Sequence, residues 1–202
     1  MTKLQAIQIS DEIISMYEKF GGNEYAGEKI TQLEHMVQAA QLAERQGYEE
    51  EVILAAFLHD IGHICVAAGI GNTMDGYGIK DHEEIGAAYL EEKGFSNKLI
   101  RLVESHVRAK RYLTYRYPEY YEQLSEASKI TLGYQGGQMD VEEATIFESS
   151  PLFDLIIQMR YWDEEAKVED LPVPELDKYR DMIVRHLEIR NENNNSQYIN
   201  PQ

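Results

Sequence analysis

Cysteine is almost missing from this chain: Cys65 stands alone among 202 residues. One thiol excludes an intramolecular disulfide and any metal site built on several thiolates. A reducing compartment, the cytoplasm, is the expected setting. Basic residues are also scarce, 19 against 36 acidic, which leaves a formal net charge of −17. Such a surface repels polyanions, so neither nucleic acid nor an anionic membrane is an expected partner. An anionic small molecule would need a locally basic pocket. No run of eighteen apolar residues occurs, so no membrane-spanning helix is expected. The opening "MTKLQAIQISDEII" lacks a continuous apolar stretch and a small-residue cleavage site, and no signal peptide is expected. Internal repeats, Ser/Pro-rich linkers and sustained period-two alternation are missing too.

What is present reads as helix. "KITQLEHMVQAAQLAERQG" spaces Ile30, Leu33, Val37 and Ala40 along one face and stops at Gly47. "EEEVILAAFLHDIGHI" opens on glutamates, which suit a helix N-terminus, and then turns apolar. "DHEEIGAAYLEEKG" has Asp81 with Glu84 three residues on, the pattern of a capping box. A further helix starts on Ser96 and places His106 and Lys110 on the face that carries Leu99 and Val103. "SPLFDLIIQMRYWDEEAK" aligns Leu155, Met159 and Asp163 by fours, and "PELDKYRDMIVRHLEIRN" is a last amphipathic segment. The length and pattern predict one all-α domain over residues 1–190 and a disordered, Asn-rich tail over 191–202. Two Gly-rich loops, 67–80 and 133–140, lack the lysine and Ser/Thr pattern of a phosphate-cradling loop.

Five of the six histidines precede residue 107: His35, His59, His63, His82 and His106. A lone histidine on a helix is more often a satisfied core or surface residue. Here His35, His59, His82 and His106 come from four predicted helices, each beside apolar positions. Asp60 follows His59 directly, and Asp163 sits on a fifth helix. A metal ion supplies the positive charge that makes such buried carboxylates tolerable. Imidazole with carboxylate suits iron, manganese, zinc or nickel and does not choose among them. Six ligands exceed what one open site needs, so two ions are plausible. On a continuous helix His59 and Asp60 would point about 100° apart, letting Asp60 bridge.

The ordered series His35, His59-Asp60, His82, His106, Asp163 resembles the HD-domain superfamily, whose helical members are mostly metal-dependent phosphohydrolases. The stretches "EYAGEKITQLEHMVQAAQLAERQG", "VILAAFLHDIGH", "DGYGIKDHEEIGAAYL", "ESHVRAKRYL", "LSEASKITLGYQGGQMD" and "MRYWDEEAKVEDLPVP" narrow this. Over roughly residues 20 to 187 they resemble the PhnZ-like HD-domain mixed-valent di-iron oxygenases. The resemblance implies an all-α HD-domain helical bundle with a di-metal site in its core. It implies two irons, Fe(II)/Fe(III), with O2 as co-substrate and a small organophosphonate as the partner. The implied reaction is oxidative cleavage of a carbon–phosphorus bond, taking 2-amino-1-hydroxyethylphosphonate to glycine and phosphate.

The resemblance also assigns residues. His35, His59, Asp60, His82, His106 and Asp163 would hold the irons, with Asp60 bridging. Tyr25 would occupy a coordination position until substrate arrives, and Glu28 would move with it and meet the substrate amine. His63, Lys110, Ser128 and Arg160 match family positions around the phosphonate, and Gln135 matches the same wall less closely. The residues agree chemically: Lys110 lies four after His106 and Arg160 three before Asp163, which sets each cation beside a ligand. The tyrosine-rich stretch at 112–121 reads as packing. Three alternatives stay open: a phosphohydrolase of a nucleotide or phosphate monoester, a dioxygenase for the N-trimethylated substrate or for hydroxymethylphosphonate, and a metal-stabilised scaffold without turnover.

Overall fold

The most apolar stretch of the sequence, residues 52–58, is buried on every side. It belongs to α3 (Glu50–Leu58), a central helix with neighbours on several sides. A computed structural model describes residues 1–25, 27–70 and 81–197, with side chains as far as residue 189. Among the described residues there are eleven helices, no strand, and one isolated antiparallel bridge between Glu24 and Thr31. After α1 (Lys3–Phe20) and α2 (Gln32–Arg45) come α3 and α4 (Ile61–Ala67), then α5 (His82–Glu92) and the long α6 (Asn97–Arg116). Three short helices follow, α7 (Pro118–Gln123), α8 (Glu126–Tyr134) and α9 (Val141–Glu148). The chain ends with α10 (Phe153–Glu165) and α11 (Asp177–Gln197).

Helices α2, α6, α10 and α11 each lie against α3. Aromatic stacking ties α3 to the outer pair: Phe57 lies flat on Tyr179 of α11, centroids 4.1 Å apart, and on Tyr17 of α1 at 4.7 Å. The Tyr17 hydroxyl donates to the Phe57 carbonyl at 2.9 Å, so its polar end is satisfied inside the core. Burying each such side chain is worth about 1.5–3 kcal/mol. Local signals set the ends. Thr31 and Glu34 form a reciprocal capping box at the start of α2, and the Ser96 hydroxyl accepts from the Leu99 N–H at the start of α6. Among the described residues no helix is long and apolar enough to cross a membrane.

The all-α expectation is met, and two local expectations are corrected. Residues 50–67 are two helices, not one, because His59 and Asp60 form a turn between α3 and α4. The change of direction lets α4 lie on α5, where Gly62 abuts the His82 carbonyl; a Cβ there would sit 1.8 Å from that oxygen. Asp81 forms no capping box, since its backbone is left-handed (φ 62°) and its side chain caps nothing. Tyr25 and Glu28 lie in the α1–α2 loop, closed by hydrogen bonds from Tyr25 N–H to the Ile30 carbonyl (2.9 Å) and from Glu28 N–H to the Tyr25 carbonyl (2.7 Å). Helix α11 runs to Gln197, past residue 190, and 198–202 lie outside the described residues. So does most of the first Gly-rich loop, at 71–80.

Candidate metal centre

The four histidines meet at one place. His35 comes from α2, His59 from the end of α3, His82 from the first residue of α5 and His106 from the middle of α6. Asp60 stands just before α4 without capping it through its side chain, and Asp163 comes from the last turn of α10; all six side chains are buried. The rings of His35, His59 and His106 are fixed by backbone carbonyls. Their Nδ1 atoms lie 2.9 Å from Ala166 O, 2.8 Å from Ala56 O and 2.7 Å from Val103 O. A carbonyl only accepts, so Nδ1 carries the hydrogen and, in a neutral ring, Nε2 presents a lone pair inward.

Those Nε2 atoms form two pairs. His35 and His59 are 3.0 Å apart, His82 and His106 2.9 Å. Asp60 stands between the pairs. Its Oδ2 is 3.5 and 3.4 Å from the first, and its Oδ1 is 3.2 and 3.3 Å from the second. Asp163 Oδ1 adds to the first pair, 3.4 Å from His35 and 3.9 Å from His59. Asp60 Oδ1 and Asp163 Oδ1 are buried without a hydrogen-bond donor. Opposed lone pairs and undonated carboxylate oxygens in a dry core are costly unless a cation sits among them. The donors therefore fit a pair of metal ions, with one Asp60 oxygen aimed at each. His63 also falls within ligand range of Asp60 and His82, and its ring stacks on His82 with centroids 4.2 Å apart.

The electrostatics follow the same geometry. Burial alone would raise both aspartates, but His59, His106 and His35 hold Asp60 well below the usual carboxylate range, and Arg160 and His35 do so for Asp163. For His35, burial lowers the pKa, and the neighbouring carboxylates of Asp163 and Asp60, which favour a protonated ring, outweigh it and raise it to about 9. Burial and neighbouring His82 push His63 down to about 3, so its ring is neutral at physiological pH. Burial raises the Tyr25 phenol well above its ordinary value, with Asp60 adding to the shift. The Tyr25 ring lies on His35, centroids 4.0 Å apart.

Two cations line this region. Lys110 is buried, and its ammonium donates to neutral oxygens, Thr131 Oγ1 at 2.7 Å and Gln135 Oε1 at 3.0 Å. Burial, reinforced by Arg160, lowers its pKa to about 7. Arg160 is also buried and is more committed: Nε donates to the Tyr120 hydroxyl at 2.8 Å, Nη1 to Asp163 Oδ2, and Nη2 to Glu164 Oε2. Three of its five N–H donors are thus spent on protein groups, one of them the carboxylate of Asp163. Ser128 lies in the first turn of α8, its Oγ 3.4 Å from Lys167 Nζ. Glu28 accepts from Ser125 Oγ at 2.8 Å and pairs with Lys167 at 3.4 Å.

The sequence reading missed Thr131, Ser125, Glu164 and Lys167. Thr131 had a signal, three residues after Ser128 on one helix face. Lys167 and Glu164 had none, because "DEEAK" at a helix end reads as a solvated charge cluster.

One family model and three relatives resemble this chain. Residues 33–145 match the HD domain family model. The chain is 42% identical to [1-hydroxy-2-(trimethylamino)ethyl]phosphonate dioxygenase (glycine-betaine-forming) of Leisingera caerulea, over 92% of this chain and 93% of that protein. It is 35% identical to hydroxymethylphosphonate dioxygenase of Gimesia maris, over 88% and 89%. It is 47% identical to an uncharacterized protein, L432, of Acanthamoeba polyphaga mimivirus, over 91% of this chain and 84% of that one. An all-helical bundle with a buried His/Asp cluster and this match defines the HD-domain class, and the chain belongs to the branch of that family that holds the phosphonate dioxygenases.

Proposed function

We propose that this protein oxidatively cleaves the carbon–phosphorus bond of an α-hydroxyphosphonate, using two irons in a mixed-valent Fe(II)/Fe(III) state. The observation that carries the reading is the double pocket shared through Asp60, with buried Lys110 and Arg160 beside it in a chain of net charge −17. Two named relatives that act on such phosphonates support it. The leading substrate is (1R)-2-amino-1-hydroxyethylphosphonate, which with O2 gives glycine and phosphate. That equation balances without an added reductant.

Bound in the double pocket, the irons would supply the one-electron chemistry that engages O2. The side chains do the rest. Lys110, held by Thr131 and Gln135, presents an ammonium to the phosphonate, with Ser128 as a hydroxyl donor and Arg160 contributing mainly through its charge. His63, kept neutral, offers one N–H and one lone pair beside His82. Tyr25 covers His35 until substrate takes its place, and Glu28 receives the amine end. Positioning and neutralisation of this kind are what the protein adds to the metal's chemistry.

A second reading is the N-trimethylated substrate, supported by the 42% identical relative. A trimethylammonium group donates no hydrogen bond, whereas Glu28 is an acceptor; that favours the primary amine. The deciding experiment follows oxygen and phosphate together, with each of the three hydroxyphosphonates offered to iron-loaded protein. One phosphate released per O2 consumed, fastest with the primary amine, is expected. Phosphate released at the same rate under argon would mean hydrolysis and overturn the proposal.

A further inference from the structure

Behind the site runs an alternating row of charges, two of which, Glu164 and Lys167, the chemistry above leaves unused. Asp163 Oδ2 accepts from Arg160, Arg160 also donates to Glu164, Glu164 Oε1 takes Lys167 at 2.9 Å, and Lys167 reaches Glu28 Oε1 at 3.4 Å. The row links the metal pocket to the α1–α2 loop. Its last member matters most. Lys167 and Glu28 are both largely shielded, with side-chain exposures of 15% and 19%. The carboxylate proposed to receive a substrate ammonium therefore already holds an ammonium belonging to the protein.

Lys167 has somewhere else to go. It keeps Glu164 at 2.9 Å and lies 3.4 Å from Ser128 Oγ, on the wall proposed for the phosphonate. Glu28 too has a second partner, the Ser125 hydroxyl at 2.8 Å, which holds the carboxylate without neutralising it. An ammonium arriving at Glu28 thus competes with Lys167 for one oxygen. A substrate without an amine has no use for the exchange.

We propose that Lys167 is a specificity-determining lock on Glu28: its ammonium closes the amine subsite, and only a substrate cation that displaces it toward Glu164 and Ser128 gains the carboxylate. The lock sets the discrimination between amino and amine-lacking hydroxyphosphonates and acts by positioning, without touching the reacting bond. It rests on the reading of Glu28 as the amine site.

The test compares Lys167→Met with the parent, each loaded with iron, on 2-amino-1-hydroxyethylphosphonate and on hydroxymethylphosphonate. Removing the competitor raises the ratio of kcat/KM, amino over hydroxymethyl, by roughly three- to fivefold, the upper end of what an incompletely buried ion pair is worth. The rise disappears when Glu28→Gln is added. Equal loss on both substrates would make Lys167 a phosphonate-binding cation and overturn the lock. A lowered melting temperature with an unchanged ratio would make it structural and also overturn it. Should the parent turn over only hydroxymethylphosphonate, the amine assignment fails by itself. The lock is then scored by calorimetry with the amino compound: Lys167→Met gaining binding supports it, and no gain refutes it.

Discussion

Gly62 is the position where one added carbon should cost one metal ion. Its Cα faces the first residue of α5, and an ideal Cβ would stand 1.8 Å from the His82 carbonyl oxygen, 2.7 Å from its carbon and 3.1 Å from the Gly86 nitrogen. All three are backbone atoms, so no side chain can swing aside. Restoring an ordinary 3.4 Å contact in Gly62→Ala requires the start of α5 to retreat by about 1.6 Å. His82 rides on that residue, and its Nε2 is now 3.2 Å from Asp60 Oδ1. Metal-ligand distances tolerate about 0.2 Å, so a retreat of this size uncouples His82 from the second pocket while His35, His59 and Asp163 stay put. Overpacking of this kind costs about 1–3 kcal/mol, and in a chain of this length that lowers Tm by about 2–12 °C. The assay is metal content per folded chain after anaerobic loading with iron, with melting run in parallel on chelated protein. We expect a fall from two ions to one. Gly86→Ala is the graded control: its Cβ would lie 3.1 Å from the Gly62 nitrogen and the Ile61 Cγ2 atom, so a few tenths of an ångström of yielding suffices. It should keep two ions with the second held more weakly. A Gly62→Ala protein that binds two ions as tightly as the parent would refute the reasoning.

Lys110, its pKa lowered to about 7, should give kcat/KM an alkaline limb near that pH, because the phosphonate needs the charged form. Lys110→Met should lose both the limb and most of the activity. The same group makes the folded chain bind fewer protons than the unfolded one between about pH 7 and its ordinary 10.5, so its contribution to stability rises with pH there. Urea titrations at pH 7 and pH 9 should therefore show a smaller gain for Lys110→Met than for the parent. Thr131→Val removes the 2.7 Å partner of Lys110 and should raise substrate KM by about fivefold, the worth of one hydrogen bond, with kcat nearly unchanged. Tyr25→Phe keeps the ring on His35 and loses only the hydroxyl. Metal content should hold, while oxygen uptake in the absence of substrate increases on an oxygen electrode.

Helical spacing made much of the site legible. His106 and Lys110 share the apolar face of one helix, and both are buried where that spacing put them. His35 and Asp163 follow the same logic on α2 and α10. Periodicity failed where the backbone departs from a helix. The apolar run from 52 to 66 gives no warning that His59 and Asp60 form a turn, because the break serves the packing of Gly62 on α5, a long-range contact. Tyr25 and Glu28 lie in a loop, where spacing says nothing about direction, and only the family resemblance singled them out. Lys167 was illegible for another reason: among so many acidic neighbours a lysine reads as a surface counter-ion, and its placement between Glu28 and Glu164 depends on how three elements meet.

The most direct measurement is electron paramagnetic resonance on anaerobically iron-loaded, partly oxidised protein, with Asp60→Asn beside it. One Asp60 oxygen faces each histidine pair, so the two irons should be spin-coupled. We expect two irons per chain and one half-integer-spin signal belonging to both, shifted by the hydroxyphosphonate and lost in Asp60→Asn. One iron per chain, or an isolated ferric signal indifferent to substrate and to Asp60, would contradict a centre shared through this aspartate.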